Sequence, residues 1–342
     1  MMAARLAVCQ FTRSSNLLRV KPTTWGEIRV SKLASQPKTA FRRKPNMKEG
    51  FDTRSKSLKE ILMEPAGETA FVIGKGALAG ASAFGLGALC YYGIGLSNEL
   101  GAIDKAVMWP QYVRQRIRTT YLYFGASLGI TAASAMATSK SVTIMRFMTR
   151  NSLMSTMGIL AALVATGMVL HSIPYTDTFG TKQIVWIAHS SLIGTIIAPL
   201  CFLGGPLMMR AAWYTAGVVG GLSLLAACAP SEKFLHVGGP LAMGLGVIFV
   251  SSIGTFFFPA STALGAGLYS MSIYGGLVVF GGFLLYDTQR IIKMAEWSPE
   301  WSPAYSGQSY DPINASTSIY MDTINIFIRI VHILAGGGNG RR

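Results

Sequence analysis

The stretch STSIYMDTINIFIRIVHILAG, residues 316–336, decides how the chain folds. It has about the length an α-helix needs to cross a hydrocarbon core of ~30 Å. Yet it carries Asp322 and Arg329. A charge at the bilayer centre costs about 2.5–3.5 kcal/mol on insertion scales, so a retained one faces protein or water. Asp322, Asn325 and Arg329 follow one another at steps of three and four. At 3.6 residues per turn they share one face, which Ile319 extends, while Ile324, Phe327 and Ile328 point elsewhere. A spanning helix with such a polar stripe must turn it into a bundle of other helices. The expected fold is therefore an all-α polytopic membrane protein.

The preceding stretch, GGLVVFGGFLLYDTQRIIK (275–293), ends its apolar run at Asp287. Position alone leaves two readings. The helix continues into water with Asp287, Arg290 and Lys293 solvated, or Asp287 is buried beside the last helix. For Asp322 the plainer reading is a structural carboxylate paired with Arg329. Two carboxylates brought together in a low dielectric repel and titrate as a unit. Such a pair can release a proton as a cation takes its place, which is the minimal chemistry of a proton-exchanging cation pathway. Asp311-Pro312 ahead of the last helix reads as a helix start, the carboxylate capping free N–H groups and proline in the first turn.

Six more apolar runs precede these two, giving eight candidate spans at roughly 76–96, 120–138, 152–171, 184–204, 211–229, 239–258, 262–285 and 315–335. The loops between them are short, the longest running over about 287–314. Of the 342 residues 51% are hydrophobic and 13% charged, against about 25% charged in soluble domains. Gly76 and Gly80, like Gly217 and Gly221, have the small-xxx-small spacing that lets helices approach closely in lipid. Lys and Arg counts in the loops favour both termini on the matrix side.

The net charge of +15 is unevenly spread. Residues 1–59 hold fourteen Lys and Arg against Glu27, Glu49 and Asp52. The remainder is nearly neutral, so this is not a nucleic-acid-binding protein. An Arg- and Ser-containing start without acids or a continuous apolar core has the mitochondrial transit pattern. The chain divides into a transit peptide and basic leader over 1–55 and a transmembrane domain over 56–342.

Cys9, Cys90, Cys201 and Cys228 have no CxxC spacing and read as small buried hydrophobes. His171, His189, His236 and His332 lack metal-ligand spacing; His189 reads as a hydrogen-bonded packing histidine, and Glu232 as a loop charge. No HExxH, GxSxG, Walker or GxGxxG pattern stands in a suitable context, so no catalytic residue, enzyme activity or cofactor is expected.

LLYDTQ (284–289) followed by YDPINASTSIYMDTINIFIRI (310–330) closely resembles the C-terminal signature of the Bax-inhibitor-1 family, over roughly 115–337. The stretches 86–113 and 204–234 resemble its mitochondrial branch in particular. The resemblance implies seven family helices with one added N-terminal span, in the mitochondrial inner membrane. It implies that Asp287 and Asp322 form a pH-sensitive pair at the pore and hold Ca²⁺ transiently, with no other metal. It further implies calcium/proton or potassium/proton exchange and a role in cristae organisation and apoptosis. Its implied partners are the lipid bilayer, cytochrome c and an inner-membrane AAA protease. Bacterial relatives add a basic partner to the pair, for which Arg146 and Arg150 are the candidates here. The alternative function is a non-transporting inner-membrane scaffold.

Overall fold

The computed structural model describes residues 63–64, 69–93, 97, 101–148, 153–230, 232–297 and 310–337. The leader over 1–55, Cys9 and Arg150 lie outside them. The described residues form helices and no strand. Eight long helices can be named: α1 (Thr69–Gly93), α2 (Gln111–Ser139), α3 (Leu153–Ser172), α4 (Thr181–Ile197), α5 (Gly205–Cys228), α6 (Gly238–Phe257), α7 (Ala263–Trp297) and α8 (Pro312–Gly337). This is the expected all-α polytopic architecture.

Six of the described helices are long and apolar enough to cross a membrane: α1, α4 with its 3₁₀ extension Ala198–Leu203, α5, α6, α7 and α8. The other two differ for visible reasons. α2 begins well before its expected start and takes Arg114, Arg116 and Arg118 into its first turns, with hydroxyls along its length. In α3 the apolar part is the shorter Gly158–Ser172. Between the 3₁₀ turn and α5 the chain reverses at Gly204, whose φ of 101° suits glycine.

The long loop expected over about 287–314 is corrected. α7 stays helical to Trp297, and the last helix begins at Pro312. The proline start reads true: Asp311 Oδ1 accepts from the amides of Ile313 and Asn314, each at 3.0 Å.

α8 sits at the centre. One face packs Ile319, Ile326, Ile330 and Val331 into a core with Leu277, Phe280, Phe283 and Leu284 of α7 and Ala211 and Val219 of α5. The other packs Tyr320, Met321, Ile324 and Ile328 against Leu163 of α3 and Ile193 and Ile197 of α4. Ile324 and Ile328 do point away from the polar stripe, but into a second core. A helix covered on both sides leaves its polar groups no path to lipid.

α2 and α4 meet through hydroxyls and a glycine. Ser134 donates to the Ser191 carbonyl, and Thr131 donates to the carbonyls of Ser127 and Ser190. A Cβ on Gly194 would lie 2.4 Å from the Thr131 carbonyl oxygen. The Gly76/Gly80 and Gly217/Gly221 pairs do not work this way: a Cβ at any of the four meets nothing within 4 Å. Spacing marks a thin face but not the partner that uses it. Gly194→Ala is therefore expected to cost about 1–3 kcal/mol through forced separation of α2 and α4. Gly76→Ala is expected to stay within about 0.5 kcal/mol. Thermal melting of both variants in detergent checks this; equal melting of Gly194→Ala and the parent chain would refute it.

The cysteines are also corrected. Cys90 is exposed and Cys201 and Cys228 are half-buried, because they sit on outward-turned helix faces. His189 is buried and hydrogen-bonds Thr166 at 2.9 Å, as a packing histidine would.

Candidate carboxylate-pair site

Asp287 and Asp322 are both fully buried, at 0% exposure. The solvated reading of Asp287 therefore fails, although it suits its neighbours. The Arg290 side chain is half exposed and reaches Asp287 at 3.9 Å, and Lys293 pairs with Glu232 at 2.8 Å. Glu232 sits in a loop, and the Lys293 hydrogen bond holds it below the usual carboxylate range.

Helical stripes place the two aspartates on the facing sides of α7 and α8. On α7, Gly276, Phe280, Phe283, Asp287 and Ile291 repeat every three or four residues, and all are buried. On α8, Ile319, Asp322, Ile326 and Arg329 do the same. The stripes meet, because Phe280 and Phe283 share a core with Ile319 and Ile326, and Arg329 lies over the Phe280 ring at 4.4 Å. The helices are antiparallel. From the Gly276–Arg329 contact, Asp287 is ~16 Å along α7 and Asp322 ~10 Å along α8, at 1.5 Å per residue. The carboxylates thus lie within about one turn of each other in height.

Asn325 and Arg329 continue the polar stripe as expected. Asn325 Nδ2 donates to the Met321 carbonyl at 2.9 Å. Arg329 Nη1 donates to the Asn325 carbonyl at 2.9 Å and to Asn325 Oδ1 at 3.2 Å. Arg329 Nε donates to the Ser272 carbonyl at 3.2 Å. Ser272 belongs to a π-helical turn, Met271–Gly275, in the middle of α7. Such a turn leaves a backbone carbonyl without its i+4 partner and is often found at functional sites. Gly276 makes room for the guanidinium, since a Cβ there would fall 2.1 Å from Nε. Arg329 is thus the buried basic residue of the region. Arg146 is exposed on the short helix Val142–Met148 and does not take that part.

A polar cap closes the end of the bundle nearer the aspartates. Arg116 donates to the Ala295 carbonyl at 3.0 Å and lies over the rings of Tyr112 and Tyr310. Tyr310 shares a 2.7 Å hydrogen bond with Thr120, and burial pushes its phenol up to about 12. Trp109 donates to Glu296 at 2.6 Å. Lys182, 1% exposed, pairs with Asp311 and donates to the Ile173 carbonyl at 2.7 Å. Gln289 donates to the carbonyls of Ala226 and Pro230 and accepts from the Phe234 amide. These contacts lie toward the loop end of the bundle from Asp287. Sequence reading missed Lys182, Gln289 and Arg116, because their partners are far away in the chain.

Among the described residues no three His, Cys, Asp or Glu side chains converge as metal ligands. Calcium takes six to eight oxygens.

A multi-pass helical membrane protein whose last two helices face each other with buried carboxylates is the class that this fold and site define. The chain belongs to the Bax inhibitor 1 family: the family model described as "Inhibitor of apoptosis-promoting Bax1" matches residues 113–339. Over 100% of both chains it is 47% identical to a protein of Rattus norvegicus named growth hormone-inducible transmembrane protein. It is 28% identical to the Bax inhibitor 1 of Rattus norvegicus over 65% of this chain and 86% of that one. A BI1-like protein of Arabidopsis thaliana is 30% identical over 44% of this chain and 53% of its own. The resemblance read from LLYDTQ and the last helix thus holds.

Proposed function

We propose that the chain is a cation/proton antiporter of the mitochondrial inner membrane, carrying calcium outward or exchanging potassium for protons. The observation that carries this reading is the pair of fully buried carboxylates on facing stripes of α7 and α8. Protonated, the pair is neutral and rests easily in a low dielectric. Ionised, it attracts a cation. Moving one charge across the membrane costs about 2.3 kcal/mol per 100 mV and a calcium ion carries two, so its exit from a negative matrix needs coupling to incoming protons. The basic leader supports mitochondrial import, and the mitochondrial branch resembled by 86–113 and 204–234 supports the inner membrane. Cristae organisation, restraint of cytochrome c release and contact with an inner-membrane AAA protease belong to the same proposal.

A second reading, a non-transporting scaffold, is favoured by the open faces of Gly76 and Gly80 on α1, which suit a helix of another protein. Reconstitution separates the two. The full chain in vesicles is given an outward calcium or potassium gradient and an opposed pH step, while both ions are followed by indicator dyes. The antiporter reading expects cation flux that rises with the proton gradient. Vesicles tight to both cations at every pH gradient would overturn it and leave the scaffold.

A further inference from the structure

Three arginines stand in the first turns of α2, and they face different ways. Arg116 turns inward, to the Ala295 carbonyl and the rings of Tyr112 and Tyr310. Arg114 and Arg118 are one turn apart on the other side of the helix, and both are exposed. Their stripe runs on through Leu122, Gly125, Gly129, Ala132 and Met136, each of them exposed as well. It turns away from α4 and α8, whose hydrogen bonds fall on Ser127, Thr131 and Ser134. In a membrane this stripe meets lipid.

Helix geometry sets the height of the two exposed arginines. The apolar run 120–138 is about 28 Å long at 1.5 Å per residue, enough for the hydrocarbon core. The Cα atoms of Arg118 and Arg114 lie ~3 Å and ~9 Å beyond it, bracketing a headgroup layer roughly 5–8 Å thick. Arg114 Nη2 donates to the carbonyls of Ala106 at 3.3 Å and Val107 at 2.9 Å. It thereby holds the turn after the short helix Ala102–Ala106 against the arginines. That turn presents Val107 and Met108, 80% and 72% exposed. Apolar side chains open beside cations at this height become covered where headgroups meet acyl chains.

We propose that Arg114, Arg118 and the Val107–Met108 turn form a docking surface for an anionic phospholipid. The phosphate bridges the two guanidiniums, and the glycerol and upper acyl chain lie on Val107, Met108 and Leu122. Two guanidiniums about 6 Å apart in height suit one phosphate, whose oxygens accept the paired N–H bonds that arginine offers. A zwitterionic lipid has the same phosphate but adds a cation that the arginines repel. Charge complementarity also selects a lipid over a second copy of the chain. Two copies related by an axis along the membrane normal would set Arg114 and Arg118 against themselves, and like charges on facing sides repel. A soluble anion would leave Val107 and Met108 in water.

The test uses the purified full chain in uncharged detergent. The probes are phosphatidylglycerol and phosphatidylcholine with the same labelled acyl chains, followed by fluorescence anisotropy. The parent chain is expected to bind phosphatidylglycerol about tenfold more tightly than phosphatidylcholine. Arg118→Gln is expected to weaken phosphatidylglycerol binding about fivefold, and Arg114→Gln/Arg118→Gln about twentyfold, with phosphatidylcholine unchanged. Val107→Ser/Met108→Ser is expected to weaken both lipids by about threefold. Lys140→Gln/Arg146→Gln removes two exposed charges at the far end of α2 and is expected to stay within about twofold of the parent. Arg118→Gln leaves the Arg114 contacts to 106–107 in place, so it decides the matter if the double arginine variant melts early. Equal loss in the Lys140→Gln/Arg146→Gln variant would reduce the effect to general surface charge and overturn the proposal. So would a parent chain without headgroup preference, or inorganic phosphate that displaces phosphatidylglycerol at equal concentration. Arginine variants that change the oligomeric state while lipid binding stays as in the parent would assign the face to a second copy instead.

Discussion

Replacing Asp322 by asparagine is expected to reduce proton-coupled cation flux to the level of protein-free vesicles, and Asp287→Asn is expected to do the same. On the antiporter reading, each removes one of the two groups that give up a proton and face a cation. Asparagine has nearly the volume of aspartate and no charge, so the cores on either side of α8 are left intact. A neutral residue in a fully buried position removes a desolvation cost, but each substitution also takes a negative charge away from a nearby arginine, Arg329 or Arg290, so flux is measured well below each variant's melting temperature. The comparison that matters is between flux and melting temperature on the same preparation. Lost flux with retained melting marks the carboxylates as transport groups. Unchanged flux in both variants sinks the mechanism and favours the scaffold reading.

The two aspartates were not equally legible in the sequence. Asp322 declared itself because helical spacing tied it to Asn325 and Arg329 within a run that had to cross lipid. Asp287 ended an apolar run, and such an end looks the same whether the helix emerges into water or passes under a lid. What lies beyond it toward the loops is tertiary: Arg116 on the Ala295 carbonyl, Gln289 tied to the 226–234 turn, and Tyr310 on Thr120. The partners are 55 to 190 residues apart in the chain, beyond any local pattern.

Glycine spacing misled in the same way. Gly76/Gly80 has the glycine pair, yet close approaches fall at glycines such as Gly194 and Gly276, whose small neighbours four residues away are Ser190, Ala198 and Ser272 rather than glycine. Gly276 is needed only because a π turn and an arginine from another helix meet there. Helix number and the central place of the last helix follow from apolarity and charge, which each segment carries in itself. The seat of Arg329 depends on how segments are juxtaposed.

The end of α8 sets the height of Asp322, and the Lys182–Asp311 pair fixes that end. Lys182 is 1% exposed and the Asp311 side chain 18%. Asp311 also caps the helix through the amides of Ile313 and Asn314. Removing one member of a buried pair leaves the other charge uncompensated, which typically costs about 3–5 kcal/mol. Part of that is recovered here, because Asp311 keeps its two amides and some contact with water. Lys182→Met is therefore expected to destabilise the chain by about 2–3 kcal/mol, seen as a melting temperature several degrees lower in detergent. Asp311→Asn keeps a capping oxygen but leaves Lys182 buried without its carboxylate, and the Ile173 carbonyl cannot neutralise an ammonium; a loss at least as large is expected. In the double variant the two losses should fall well short of adding, since no unpaired charge remains. Because Asp287 and Asp322 are untouched, the antiporter reading expects Lys182→Met still to carry proton-coupled flux well below its melting temperature, unlike Asp322→Asn. Additive losses in the double variant, or melting equal to that of the parent chain, would show that the pair does not anchor α8.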